Sequence, residues 1–410
     1  HTTISDRLLM KAVEVAKTGM GKIKFVSEET AILQQLHAGK TLDEACNAAL
    51  TACFLHTVPG ISHDVGGDFF NVPMMLELAL NNGVCRDTGE QIGPATGDPR
   101  AFKTYEDVWN AFTAQLSALL PRCITGMALY MKMSGEMLPN PLLSALYDGC
   151  IEKGLDVMDG GTRYSTISVW CAGIPNVGDS LAALKKVVFE DKKLTMAQVV
   201  DALDKNFEGY EDVQHLLASA PKYGNDIDFA DNIVNDVLIR VNDECMKYRC
   251  HGDRLFTGTG ATITANISLG WRVGALPDGR KAGLPLAEGG ISPHQGRNTS
   301  GATSTMLSAA KLNFAKVIGG SVLNMKFDPE GLDEPVKMWK LANMLRTYCA
   351  LGGDIIQFNI ISNEMLRDAQ AHPENYRDLL VRVATYSAYF VMLPKAVQDE
   401  IISRTSFEGI

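Results

Sequence analysis

Arg382-Val383-Ala384-Thr385-Tyr386-Ser387-Ala388-Tyr389-Phe390, some 20 residues before the end of this 410-residue chain, is the stretch that decides its reading. At its centre Thr385 is β-branched and stiff at χ1, so it restricts the backbone conformations that a glycine could reach there. The neighbouring segments are Leu366-Arg367-Asp368-Ala369-Gln370, Pro373-Glu374 with Tyr376-Arg377-Asp378-Leu379, and Leu393-Pro394-Lys395 with Val397-Gln398-Asp399-Glu400-Ile401-Ile402. Far upstream, Leu42-Asp43-Glu44-Ala45 is followed by Ala52-Cys53-Phe54-Leu55 and Pro59-Gly60. By itself a cysteine at a helix end is a small buried hydrophobe.

Composition excludes several classes. With 46% apolar and 21% charged residues the chain is an ordinary globular one. No apolar run approaches the roughly 18–20 residues of a membrane span. No secretory n-region and h-region is seen either, and with His1 as the first residue a missing natural N-terminus is an expectation. A net charge of −10 disfavours nucleic acid and anionic membranes, both of which want a basic surface. Nine cysteines, an odd number without paired C-x-x-C spacing, indicate neither a disulfide framework nor a zinc site. Cys245, Cys250 and His251 form the one local cluster and read as ordinary burial rather than a metal site. A reducing cytoplasm follows.

No period of 20–50 residues repeats, and no low-complexity linker divides the chain. Thr41-Leu42-Asp43-Glu44 is a capping box that opens a helix toward Ala52. Thr104 with Asp107 opens a second helix and Thr195-Met196-Ala197-Gln198 a third. Tyr164–Val169, Ser321–Phe327 and Asp354–Ile361 read as buried strands. Helices alternating with such strands predict an α/β fold, as a barrel or as an open sheet.

The stretch 382–390 resembles the signature Arg-Val-x-Gly-Tyr-Ser-x-x-Phe of the glycyl radical enzymes, the pyruvate formate-lyase family. Its flanks resemble the same C-terminal module. Thr385 stands where the radical-bearing glycine belongs. A stable Cα radical needs planarity and an unhindered hydrogen, which glycine provides and threonine does not. In the family a separate S-adenosylmethionine/iron–sulfur activase removes that hydrogen, so the resemblance implies an organic radical and no bound cofactor.

The same resemblance puts Cys53 on the cysteine that passes the radical to substrate as a thiyl, in a loop that typically reads Gly-Cys-x-Glu. Phe54 and Leu55 are its substrate-side neighbours. Leu55 replaces the glutamate that serves as acid and base in dehydratases and decarboxylases. Benzylsuccinate synthase-like and pyruvate formate-lyase-like members also lack it, and its loss weighs against a glycerol- or choline-type lyase. Gly149-Cys150-Ile151-Glu152 matches the pattern literally, but its context resembles a later family segment, and Cys150 is read as structural. His63-Asp64 and Asp68-Phe69-Phe70-Asn71 resemble His-Asp-x-x-Phe-Phe-Asn with altered spacing, so either Asp64 or Asp68 is expected in the substrate pocket or as a helix cap.

Further matching text includes Gln91-Ile92-Gly93-Pro94, Val273–Gly283, Gly289-Gly290-Ile291-Ser292-Pro293, Leu323–Phe327 and Gln357-Phe358-Asn359. The whole stands nearest to glycerol/diol dehydratase-type members. It implies a ten-stranded α/β barrel, with this chain carrying the C-terminal half-barrel and both loops. Residues 1–360 would be barrel and 361–410 the radical-loop module. The N-terminal half would come from the same or another chain in a homo- or hetero-oligomer. The implied function is an anaerobic lyase for a small organic substrate, with the radical stored at position 385 and relayed by Cys53, blocked as written by Thr385. Gly409 lacks every flanking motif residue and is no substitute. The other reading is a non-catalytic homologue serving as scaffold or regulatory subunit of an active partner.

Overall fold

Alternate residues of Tyr164–Ala172 settle the layering. Ile167, Val169 and Cys171 are fully buried against helices, whereas Thr166, Ser168 and Trp170 point to the opposite face. A computed structural model describes residues 3–19 and 22–409. Its strands are β1 (Lys24–Val26), β2 (Ala49–Thr51), β3 (Leu55–Thr57), β4 (Ser62–Asn71), β5 (Tyr164–Ala172), β6 (Arg249–Cys250), β7 (Arg254–Thr259), β8 (Val322–Phe327), β9 (Ile355–Ile360), β10 (Leu380–Arg382), β11 (Ser387–Tyr389) and β12 (Ser406–Phe407).

One sheet has the order β4-β5-β7-β6, the first three parallel, and a second has the order β1-β9-β8-β12. Parallel neighbours need long crossovers. The helix Tyr105–Met137 lies between β4 and β5, Asp228–Cys245 precedes β7, and Pro335–Ala350 joins β8 to β9. The sheets adjoin where Val322 N donates to Gly260 O at 3.4 Å and the Thr259 hydroxyl reaches the Gly320 carbonyl. The sequence-predicted strands all form within a few residues, and all three capping boxes are present. The helix expected to run toward Ala52 is a single turn, Leu42–Ala45. Beyond it, strand pairing takes over: Leu50 lies opposite His56, and the hairpin β2–β3 presents Cys53 at its tip.

After β9 the chain builds a small core of its own from Ile361, Leu366, Ala369, Val381, Val383, Phe390 and Ile401. Buried polar bonds attach it to the second sheet. Lys326 Nζ donates to Asn363 Oδ1 (2.8 Å) and to the carbonyls of Ile401 (3.0 Å) and Ile402 (3.1 Å). Burial, with Arg404 nearby, pushes its amine down to about 7. Arg404 donates to both carboxylate oxygens of Glu400 (3.2 and 2.7 Å) and lies 3.9 Å from Glu288. All three side chains are nearly inaccessible. An unpaired buried carboxylate costs several kcal/mol. Arg404→Met is therefore expected to destabilise the protein by about 3–5 kcal/mol in urea unfolding, and a loss under 1 kcal/mol would show that water compensates the two acids.

Candidate functional site

Cys53 sits in the turn Ala52–Phe54 between β2 and β3, half-buried. Ala52 adopts φ +50°, a conformation that glycine takes freely and that strains an L-residue. Beside the thiol, Phe54 packs edge-on against Trp170 (5.7 Å) and Trp170 against Phe69 (4.9 Å). A Cβ at Gly320 would collide with the Phe54 carbonyl, so that glycine lets the loop sit close. Leu55 is buried in an apolar cluster with Ala261, Val322 and Ile355, an environment that would penalise a carboxylate. One residue on, His56 Nδ1 lies 2.6 Å from Gln34 Oε1, and its Nε2 is 3.7 Å from Asp354 Oδ1. Burial depresses His56 to about 4 and lifts Asp354 to about 7, so the dry pair beneath the loop favours neutral forms.

Residues 383–386 form the turn of the β10–β11 hairpin, closed by Val383 N donating to Tyr386 O at 3.0 Å. Three successive carbonyls are held by side-chain donors. Asn359 Nδ2 reaches Arg382 O (3.2 Å), Arg404 NH2 reaches Val383 O (2.6 Å), and Gln357 Nε2 reaches Ala384 O (2.6 Å). Arg382 also donates from Nε to Ala384 O (3.0 Å) and from NH2 to Gln357 Oε1. Thr385 is half-buried and its φ is negative, so threonine fits here without left-handed strain. Its hydroxyl is buried and has no hydrogen-bond partner.

The two loops meet across β1. Lys24 lies opposite Gln357 in the β1–β9 register, and Asn324 lies opposite Gln357 on β8. Lys24 Nζ donates to the Cys53 carbonyl at 2.6 Å. Burial lowers the Lys24 amine, the Arg382 charge lowers it further, and Cys53 opposes both. Burial likewise brings Arg382 down to about 10, again opposed by Cys53. The Lys24–Gln357 pair therefore ties the cysteine loop and the 382–385 turn to one place on the sheet.

The remaining expected residues lie elsewhere. Asp64 accepts from Thr166 Oγ1 (2.6 Å) and from the Ser62 hydroxyl, four residues along β5 from Trp170, about 13 Å at strand rise. Asp68 is exposed in a β-bulge with Gly67, opposite Val169, and its amide points to Met127 Sδ (3.1 Å) on the helix side. His63 packs edge-on against Tyr147 at 6.0 Å, and burial lowers its imidazole. Cys150 is buried at a separate helix start, where burial raises its thiol. Sequence reasoning missed Lys24, Asn324, Gln357, Asn359 and Arg404 as site residues. Their signal was polar side chains two apart in otherwise apolar strands, Asn324 with Lys326 and Gln357 with Asn359.

Comparison with known proteins shows the family to which the chain belongs. The pyruvate formate lyase-like family matches residues 1–270, and the glycine radical family matches residues 287–391. The chain belongs to the pyruvate formate lyase-like, glycyl radical enzyme family. It is 38% identical over 403 residues to trans-4-hydroxy-L-proline dehydratase of Clostridioides difficile, covering 98% of this chain and 51% of that protein. It is 35% identical over 419 residues to isethionate sulfite-lyase of Bilophila wadsworthia, covering 100% and 50%. The glycerol-bound B12-independent glycerol dehydratase of Clostridium butyricum superposes with a TM-score of 0.94 at 35% identity, over 99% of this chain and 51% of that one. The chain thus spans about half the length of the relatives it matches. No described helix is long and apolar enough to cross a membrane. Because Ala52 carries the strain of the cysteine turn, Ala52→Gly is expected to stabilise the protein by about 1 kcal/mol in denaturant unfolding. An unchanged or lowered midpoint would show that the turn is relaxed.

Proposed function

We propose that this chain is the part of a radical lyase that carries its two radical positions, 385 and Cys53, for a reaction on a small organic substrate. The observation that carries the reading is that both loops are tied to neighbouring positions of β1 and β9: Lys24 donates to the Cys53 carbonyl, and Gln357 opposite it holds the Ala384 carbonyl. Relatives named as a dehydratase and a sulfite-lyase support the reaction class. With a glycine at 385, a separate S-adenosylmethionine/iron–sulfur activase removes the Cα hydrogen. The Cys53 thiol then gives its hydrogen to that radical, and the thiyl takes one from substrate and returns it after bond cleavage. Phe54 and Leu55 line the substrate side. Residues 1–360 act as the C-terminal half of an α/β barrel and 361–410 as the radical module. The complementary half comes from the same or another chain in a cytoplasmic oligomer.

Thr385 blocks storage of the radical. Its fit without strain, together with Leu55 in an apolar pocket, favours a second reading, a non-catalytic subunit that keeps the fold beside an active partner. Anaerobic incubation with activase, S-adenosylmethionine and reductant separates the readings by electron paramagnetic resonance. The chain as written is expected to be silent. Thr385→Gly is expected to give a glycyl doublet, at a stability cost of about 1 kcal/mol or less, and Cys53→Ser in that background to keep the doublet but lose turnover. A doublet from the unmodified chain would refute the block, and silence from Thr385→Gly would favour the scaffold.

A further inference from the structure

At the end of β5 away from Trp170 the chain gathers positive charge. Tyr164 opens that strand about 20 Å from Trp170 at strand rise, so this place is separate from the cysteine loop. A cavity of about 110 Å³ lies there, lined in part by Lys40, Lys153, Arg163, Arg249 and the Tyr164 ring. Among the described residues Asp253 is the one acid in the lining. Four cations against one acid is a local excess in a chain whose net charge is −10.

Lys40 points to a ligand. It is 4% exposed, and its ammonium has no hydrogen-bond partner among the described residues. Its Nζ stands 5.1 Å from the centre of the Tyr164 ring, a cation–π contact that leaves the three N–H groups without an acceptor. The acids that attract it are already engaged. Asp64 accepts from Thr166 and Ser62, while Glu44 accepts from the Thr41 amide and the Tyr164 hydroxyl and pairs with Arg163 at 3.0 Å. Gln35, whose carbonyl accepts from the Lys40 amide, keeps its own unpartnered Oε1 outside the lining. Lys153 spends one donor on the Thr162 carbonyl (2.6 Å), and Arg249 pairs with Asp253 at 3.3 Å. Lys153, Arg163 and Arg249 are exposed and form the rim.

A buried ammonium without an acceptor is costly, and a pocket that keeps it beside three more cations is short of negative charge. A tetrahedral oxyanion is acceptor-only, can carry more than one negative charge and presents oxygens in several directions, so it can meet the buried amine and the rim cations together. A neutral polyol can accept from Lys40 but leaves the charge uncompensated.

We propose that this pocket binds a small tetrahedral oxyanion, phosphate or the phosphoryl end of a small metabolite, anchored by Lys40 and flanked by Lys153, Arg163 and Arg249. The site lies apart from position 385 and Cys53 and does not depend on the lyase reading. Because Lys40 stands between the helix Glu28–His37 and the Leu42–Ala45 turn, an occupant tethers that segment to the start of β5.

The test is isothermal titration calorimetry of the chain, purified without phosphate, at fixed pH and ionic strength with chloride as the balancing ion. Inorganic phosphate is expected to bind saturably at one site with a Kd of about 1 mM or tighter. Lys40→Met is expected to lose about tenfold of that affinity or more, and Lys40→Arg to regain part of it. Should Lys40→Met not fold, Lys153→Gln combined with Arg249→Gln is expected to give a loss of about tenfold. Lys132→Gln, which removes an exposed lysine of the helix Tyr105–Met137, is expected to change nothing. Methyl phosphate binding tighter than phosphate assigns the site to a phosphorylated metabolite, and the reverse order assigns it to the free ion. No saturable binding of either, unchanged affinity in a folded Lys40→Met protein, or an equal loss in Lys132→Gln would overturn the proposal.

Discussion

Three carbonyls that no strand can satisfy organise the site. After Arg382, the last residue of β10, the chain turns, and a buried carbonyl without a donor is costly. Asn359, Arg404 and Gln357 supply the donors from three different places, two on β9 and one after the last helix. Because Gln357 also accepts from Arg382 and donates to Asn324, the turn, the loop arginine and the sheet are locked as one polar unit. Burying Arg404 then requires Glu400 and Glu288, and this places the charged cluster beneath the module.

The cysteine loop is held differently. Its support is largely apolar, with Phe54 on Trp170 and Leu55 among Ala261, Val322 and Ile355, and its polar contacts include the neutral His56–Gln34 pair, the Gln35 bond to the His56 carbonyl and the Lys24 bond. An apolar mount disfavours charged side chains, since burial among apolar groups penalises an ion such as a thiolate. It also explains why Leu55 is accommodated: its pocket has no group to compensate a charge. The cost falls on Ala52, which turns the chain through a conformation better suited to glycine.

Much of this was legible in the chain. Capping boxes at Thr41, Thr104 and Thr195 and the strands at 164, 322 and 355 follow local rules of capping and period-two burial. The helix after Thr41 was over-extended because its propensity is weak against the pairing of Leu50 with His56, a tertiary effect. Asp64 and Asp68 were left as equal candidates because a bulge at Gly67–Asp68 cannot be seen in spacing alone, and it turns Asp68 outward.

By itself the sequence determined the family, and it fixed which residue stands at each position, Thr385 in the C-terminal hairpin turn and Leu55 after Cys53 among them. Tertiary structure alone decided which side chains surround Cys53. Lys24 and Arg382 are separated by most of the chain and both come to Gln357, because β1 pairs with β9 and the 382–385 turn is clamped to the same strand. Long-range pairing of this kind depends on the register of strands distant in sequence, and no local pattern encodes it.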